Sequence, residues 1–217
     1  MENLRILLAD DHEMVRKGLR ATIEGHRSWE VCGEASNGRE AVAIACELRP
    51  DIVVMDIGMK GMNGIEATQR LRKDYPAVRV VALSTHADKR YVRNMIQAGA
   101  SAYVLKESAS DDLLRAVQAA ARGEHYLSPR VTGSVLESWN TSSAPESSSV
   151  YELLGSRERE VLKLLADGQS SKEIAGRLGL AVKTVETHRR NIADKVGLHS
   201  IAELTKYAVR EGLTSLE

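Results

Sequence analysis

Leu4-Arg5-Ile6-Leu7-Leu8-Ala9-Asp10-Asp11 is an apolar run of strand length that ends abruptly in two carboxylates. Three later runs end in the same way. Ile52-Val53-Val54-Met55 runs into Asp56, Val78 to Leu83 into Ser84, and Ala102-Tyr103-Val104-Leu105 into Lys106. The segments between them carry apolar residues at helical spacing. Strands alternating with helices predict a parallel sheet with right-handed crossovers and helices on both faces. Parallel strands share one direction. Three carboxylates, a hydroxyl and an ammonium therefore converge on the C-terminal edge, where open α/β sheets bind ligands.

Five such units fit between residues 4 and 122. The expected helices span about 13–25, from Gly38 to the stop at Pro50, Ile65–Lys73, 88–98 ahead of Gly99, and Asp111–Arg122 capped by Ser110. Val31-Cys32-Gly33-Glu34-Ala35 reads as the second strand. The fold class expected is α/β, a doubly wound, five-stranded parallel sheet over residues 1–125. Ser128-Pro129 suits the cap and first turn of a further helix, to about Ser138. Residues 138–150 then change composition: six of the thirteen are serine, with one acid and no base. That stretch reads as a flexible linker with a reach of about 20 Å.

Residues 151–217 show no strand pattern. Expected helices run Arg157–Asp167 with Ser156 as cap, Lys172–Leu178 capped by Ser170 or Ser171, Val182–Val196, and Ser200 to about Glu211. Short helix, tight Gly179 turn and longer basic helix form the helix-turn-helix pattern. The second unit is therefore an all-α four-helix domain.

Composition bounds the function classes. The chain has 217 residues, 43% apolar and 28% charged, with 30 bases balancing 30 acids. Net charge near zero gives no global attraction to polyanions, so any nucleic-acid binding rests on a local patch. No apolar run approaches the roughly 20 residues of a membrane span, and the first residues lack a signal peptide's pattern. A cytoplasmic protein is expected, with Cys32 and Cys46 as reduced core cysteines.

The strand-end residues have a chemistry together that none has alone. A hard divalent cation such as Mg²⁺ takes oxygen ligands. Asp11 and Asp56 suit direct ligation, and Asp10 ligation through water. Asp56 is a carboxylate nucleophile, and Mg²⁺ with the ammonium of Lys106 would stabilise charge on a phosphoryl group in transfer. Ser84 suits a hydrogen bond to a phosphoryl oxygen.

Ala9-Asp10-Asp11-His12, Met55-Asp56-Ile57, Leu83-Ser84 and Tyr103-Val104-Leu105-Lys106 make residues 1 to about 125 resemble the receiver domain of bacterial two-component response regulators, with a flavodoxin/CheY-like fold. The resemblance implies that Asp56 is the phosphoacceptor. It implies that Asp10, Asp11, Asp56 and the Gly58 carbonyl hold Mg²⁺, that Ser84 and Tyr103 are the switch pair, and that Lys106 contacts the phosphoryl group. Three residues depart from the usual pattern. Lys60 and Glu107 replace prolines, and Gly58 places no side chain two positions beyond the phosphoacceptor.

The segment Ser170–Val196 carries six bases and three acids. Val182, Val185, Ile192 and Val196 are expected to form its inward stripe. Glu186, Thr187 and Arg190 then face away, where a recognition helix meets base edges. Lys183, Thr184, His188, Arg189 and Lys195 suit phosphates. Glu186 would repel phosphates but can read cytosine. Ser171-Lys172-Glu173-Ile174-Ala175, Leu178-Gly179 and Thr184-Val185-Glu186-Thr187-His188 resemble the LuxR-type helix-turn-helix. With the receiver, the chain resembles the NarL/FixJ class. In that class the last helix commonly pairs DNA-binding domains; Ile201, Leu204 and Ala208 are the candidates here, or else plain core.

The resemblance implies a phosphorylation-dependent transcription factor and not a turnover enzyme. Implied partners are a sensor histidine kinase, double-stranded promoter DNA, RNA polymerase and a second copy of the chain, with no membrane partner. Two alternatives stand beside it. A phosphatase with an aspartyl-phosphate intermediate would want an acid where the chain has Gly58. A regulator independent of phosphorylation would have little use for the acidic set.

Overall fold

Strand β1 (Leu4–Ala9) lies between β2 (Trp29–Ala35) and β3 (Ile52–Asp56), followed outward by β4 (Arg79–Ser84), β5 (Ala102–Leu105) and β6 (Tyr126–Leu127). All five pairings are parallel. The computed structural model describes residues 3–59, 61–85, 87, 89–133 and 150–214, and the chain divides into two units, Met1–Ser142 and Ser143–Glu217.

The strands alternate between faces, apart from a register shift in the β1–β2 pairing between Ile6 and Leu7. Ile6, Leu8, Ile52, Val54, Val81, Leu83 and Val104 form one core with Leu19 and Ile23 of α1 (Glu13–Glu24) and Leu113, Ala116, Val117 and Ala120 of α5 (Ala109–Ala121). The opposite face meets α2 (Gly38–Leu48), α3 (Gly64–Asp74) and α4 (Lys89–Ala98). Burying each of these Leu or Ile side chains contributes about 1.5–3 kcal/mol.

The expected five-stranded sheet has a sixth strand, beyond the expected receiver boundary at residue 125. Tyr126 N–H donates to Ser101 O at 3.2 Å and Ser128 N–H to Tyr103 O at 3.0 Å, so Tyr126–Leu127 satisfies the free edge of β5. Residues 129–133 turn helical, as Ser128-Pro129 suggested; the rest of that expected helix, and linker residues 138–149, lie outside the described residues.

Local starts and stops differ from expectation in physical detail. Helix α2 ends at Leu48 with Arg49 in the left-handed region (φ 47°), one residue before Pro50. Helix α3 opens with a capping box: the Asn63 side chain accepts Glu66 N–H at 2.9 Å while Glu66 accepts Asn63 N–H. Helix α5 begins at Ala109, straight after a 3-10 turn at Lys106–Ser108, so Ser110 lies inside it rather than capping it.

The second unit has a one-turn helix α6 (Val150–Leu153) and then α7 (Ser156–Ala166), α8 (Ser171–Leu178), α9 (Val182–Val196) and α10 (Ile201–Arg210). The extra turn is α6, whose Val150 is fully buried with Leu154, Val161, Leu165, Ile174, Val185 and Ile192. Gly155, not Ser156, precedes α7. Its N–H is accepted by Glu158, which supplies the reach-back half of a capping box. Ser170 and Ser200 cap α8 and α10 with complete boxes through Glu173 and Glu203. Gly179, at φ 64°, makes the turn between α8 and α9 in a conformation that suits glycine.

Candidate phosphoacceptor site and nucleic-acid interface

Register aligns Ala9 with Met55, Asp56 with Leu83, and Ser84 with Leu105. The chain therefore leaves four adjacent strands at one level, and Asp10, Asp56, Ser84 and Lys106 meet there. The Lys106 ammonium lies 2.7 Å from Asp10 Oδ2 and 3.0 Å from Asp56 Oδ1. Asp10 is fully buried, Asp56 and Ser84 nearly so.

The two neighbouring aspartates are held differently. Asp10 donates its N–H to Ala35 O at 3.1 Å, its carbonyl accepts Arg16 Nη1 at 2.7 Å, and its Oδ1 accepts His12 N–H at 2.9 Å. Asp11 is nearer the surface, with His12 Nδ1 2.8 Å from its Oδ1. Burial, the largest influence on Asp56, joins the charge of Asp10 to push its carboxyl above the ordinary value, against the pull of Lys106 and the Gly58 N–H. Burial works against the Lys106 ammonium too. There Asp56 and Asp10 outweigh it and hold the group above its ordinary value.

Asp10, Asp11, His12 and Asp56 each bring a ligand atom into a group no wider than 4.8 Å. Opposite ligands of Mg²⁺ stand about 4.2 Å apart, so small side-chain shifts suffice. Asp10 Oδ2 is covered and faces the Lys106 ammonium at 2.7 Å, and Asp11 Oδ1 is covered and faces His12 Nδ1 at 2.8 Å. Three carboxylates gathered this closely, with one ammonium between two of them, supply the hard oxygen donors that a magnesium ion takes.

Tyr103 is fully buried in β5, and its register partners are Ala82 and Leu127. Gly58 is exposed, and a Cβ built there would meet only Asp56 Oδ2, at 3.9 Å. A Cβ at Gly64 would fall 2.2 Å from the Asp56 carbonyl, so that glycine lets α3 begin directly behind the phosphoacceptor candidate. Lys60 lies outside the described residues. His12 and Arg16 join the expected residues at this edge. His12 stood in the quoted motif without a role. Arg16 has no local sequence signal beyond being a base one turn into α1.

In the second unit Val185 and Ile192 are buried, while Val182 is 41% exposed and does not belong to the inward stripe. It is the first residue of α9, and the burial begins at Val185. Lys183, Thr184, Glu186, Thr187 and Arg190 are exposed along one side of α9. His188 and Arg189 are half-buried, and Arg189 donates to Ser171 Oγ at 2.8 Å. Lys195 is exposed too, but its ammonium is paired, 2.9 and 2.7 Å from the two carboxylate oxygens of Glu158 on α7. In α10, Leu204 and Ala208 are core, and Ile201 is 53% exposed.

Residues 6–118 match the response regulator receiver domain, and residues 152–208 match the bacterial regulatory proteins of the luxR family. The transcriptional regulatory protein LiaR of Bacillus subtilis (strain 168) is 41% identical over 212 residues, covering 98% of this chain and all of that protein. The response regulator protein VraR of Staphylococcus aureus (strain Mu3 / ATCC 700698) is 35% identical over 210 residues, 97% of this chain and 98% of VraR. A LuxR-family two-component response regulator from Aurantimonas sp. SI85-9A1 superposes with a TM-score of 0.62 at 36% identity, covering 64% of this chain and 99% of that one. RcsB from Salmonella enterica serovar Typhimurium, solved bound to promoter rprA, has a TM-score of 0.65 at 23% identity over 95% of this chain and 98% of its own, a likeness of fold alone. Among the described residues no helix is long and apolar enough to cross a membrane. A receiver sheet with its acidic edge, followed by a LuxR-type helix-turn-helix, places the chain among the two-component response regulators of the NarL/FixJ class, which are DNA-binding transcriptional regulators.

Proposed function

We propose that a sensor histidine kinase phosphorylates Asp56 and that the modified receiver promotes binding of a dimer to promoter DNA. The observation that carries this reading is the bridging of Asp10 and Asp56 by Lys106 at a partly covered sheet edge. An Asp56 oxygen attacks phosphorus; the P–O bond forms as the P–N bond of the kinase phosphohistidine breaks, and the imidazole nitrogen leaves with the electron pair. Asp11, Asp56 and the Gly58 carbonyl would hold Mg²⁺, with Asp10 behind them. When bound, that cation supplies positive charge to the phosphoryl oxygens. Lys106 contributes a second positive charge, and the hydroxyl of Ser84 a hydrogen bond.

Recruiting Ser84 and Lys106 to the phosphoryl group alters the environment of Tyr103 in β5. A modification shifts an equilibrium only by its differential interaction with the two states, so the unmodified chain retains measurable DNA binding. Glu186, Thr187 and Arg190 read base edges. Lys183, Thr184, His188 and Arg189 meet phosphates, with Lys195 contributing only where DNA competes with Glu158 for its ammonium. A two-fold dimer suits an inverted repeat. Its subunits pair through the exposed side of α10 that carries Ile201, since Leu204 and Ala208 are committed to the core. RNA polymerase is a further partner of the DNA-bound dimer in the cytoplasm.

The test is a phosphate-affinity gel with acetyl phosphate and Mg²⁺. Wild type gives a retarded band and Asp56→Asn gives none. A retarded band in the variant, or none in wild type, overturns the reading, as does acetyl phosphate still enhancing DNA binding by Asp56→Asn.

A further inference from the structure

The main chain at Asp10 is gripped from both sides by β2. Its N–H goes directly to Ala35 O. Its carbonyl goes to Arg16 Nη1 at 2.7 Å, and Arg16 Nε is in turn anchored 3.1 Å from Glu34 Oε2, one residue before Ala35. The Arg16 side chain is only 15% exposed, so the guanidinium is packed in place rather than lying on the surface. A planar guanidinium offers donors in fixed directions, which a lysine cannot reproduce. The carbonyl it holds belongs to the peptide that joins Asp10 to Asp11. Fixing that peptide plane fixes the direction in which Asp11 leaves the chain.

Asp11 needs this help. Asp10 has its carboxylate oriented by His12 N–H and Lys106. Among the described residues, Asp11 has the imidazole of its exposed neighbour His12 as partner. Glu34 also receives Arg20 Nε at 2.8 Å, and Arg20 reaches Glu24. Glu34 is thus itself well anchored, and its carboxyl is held below the ordinary range, chiefly by Arg20 and further by Arg16, against burial.

We propose that Arg16 is a positioning residue for the cation site. Through the Asp10 carbonyl and the Glu34 anchor, it sets the orientation of Asp11 and hence the affinity of the edge for Mg²⁺. This rests on the reading of that edge as a magnesium site. Groups that orient metal ligands typically change affinity by 10–100-fold when removed.

The experiment follows thermal unfolding of the full chain across a Mg²⁺ titration at constant ionic strength. A ligand at free concentration L that binds only the folded state stabilises it by RT ln(1 + L/Kd), so the Mg²⁺ concentration at which the rise sets in (the Mg²⁺ midpoint) reports Kd. Arg16→Gln should shift the Mg²⁺ midpoint upward about tenfold. Arg16→Lys, which keeps the charge but can hold only one of the two partners, should recover only part of that. Arg20→Gln breaks the same network without touching Asp10. It should lose stability in metal-free buffer as Arg16→Gln does, yet keep the wild-type Mg²⁺ midpoint. An unchanged midpoint in Arg16→Gln, or an equal shift in Arg20→Gln, overturns the proposal. If Arg16→Gln does not fold, Glu34→Gln removes the anchor alone; a wild-type midpoint there overturns it too. Absence of any Mg²⁺ stabilisation in wild type would instead defeat the magnesium reading itself.

Discussion

The Ser128 hydroxyl donates to Asp112 Oδ2 at 2.7 Å, both groups being buried, and Ser128 Oγ accepts the N–H of Leu105 at 3.4 Å. Tyr126 OH also donates to Asp112, at 2.9 Å. The chain leaving the receiver is thereby tied to the strand that carries Tyr103 and leads into Lys106. Ser128→Ala removes a buried hydrogen bond from a carboxylate oxygen and another from a backbone donor. We expect it to destabilise the receiver by about 1–3 kcal/mol in urea denaturation. Arg130→Ala, which breaks an exposed pair with Glu107 only two residues later, should produce no measurable change. Equal effects from the two variants would mean that the buried network is not what holds the exit segment.

Glu158 gives the DNA-binding unit a pH dependence. Burial, the largest single influence, raises its pKa, but Lys195 and the Gly155 N–H together outweigh it and hold the carboxyl below the ordinary value. A folded-state pKa below the unfolded one contributes stability that is present above the unfolded value, near 4.5, and lost as pH falls through the folded one. The unit should therefore weaken on acidification below about pH 4.5, and Glu158→Gln should flatten that part of the profile. At pH 7 the variant should be less stable by about 1–2 kcal/mol. Denaturant midpoints from pH 3 to 7 decide it; parallel profiles for the two proteins would remove Glu158 as the cause.

The bases of α9 should separate in a salt titration. Lys183 and Arg190 are exposed, whereas Lys195 is paired with Glu158. Removing a base that neutralises one phosphate reduces the slope of log K against log salt by about 0.9. Lys183→Ala and Arg190→Ala should each flatten the slope with unchanged stability. Lys195→Ala should leave the slope near wild type and lower the unfolding midpoint. A flattened slope for Lys195→Ala would show that DNA takes this ammonium away from Glu158.

The acidic edge was legible because parallel strands carry their last residues to one level, so chain order alone brought Asp10, Asp56, Ser84 and Lys106 together. β6 was not legible. Two residues, Tyr126 and Leu127, cannot display a period, and they pair only because β5 has a free edge. The Asn63–Glu66 box was present as an Asn with Glu three positions later, but a loop dense in glycine hid it. Val182 shows the opposite error. It fits a helical stripe by spacing, yet it is 41% exposed while Val185, three residues on, is fully buried.

Arg16 marks the deeper limit. Helical spacing placed it on α1, but its value lies in a main-chain carbonyl and in Glu34 on another strand. No local pattern encodes a contact of that kind. The same holds for Lys195, whose positive charge suited a phosphate until the fold placed Glu158 against it.

Gly58 carries the last prediction. The carboxylate of Asp56 is almost wholly covered, yet the position two residues on is open, with space for a side chain whose nearest neighbour is Asp56 Oδ2 at 3.9 Å. Its backbone is not in the left-handed region, so a side chain costs no backbone strain there. On the proposed phosphorylation of Asp56, we expect the hydrolytic water to approach phosphorus through this opening. An apolar side chain would occupy part of that approach without supplying a hydrogen bond, so Gly58→Leu should lengthen the half-life of the phosphorylated chain. Asn at the same place can hold a water and should lengthen it less. Neither change should alter the unfolding midpoint of the unmodified protein, since the added atoms project outward. The measurement is loss of the retarded band on a phosphate-affinity gel after removal of the phosphodonor; identical half-lives for wild type, Gly58→Leu and Gly58→Asn would show that water reaches the phosphoryl group by another side.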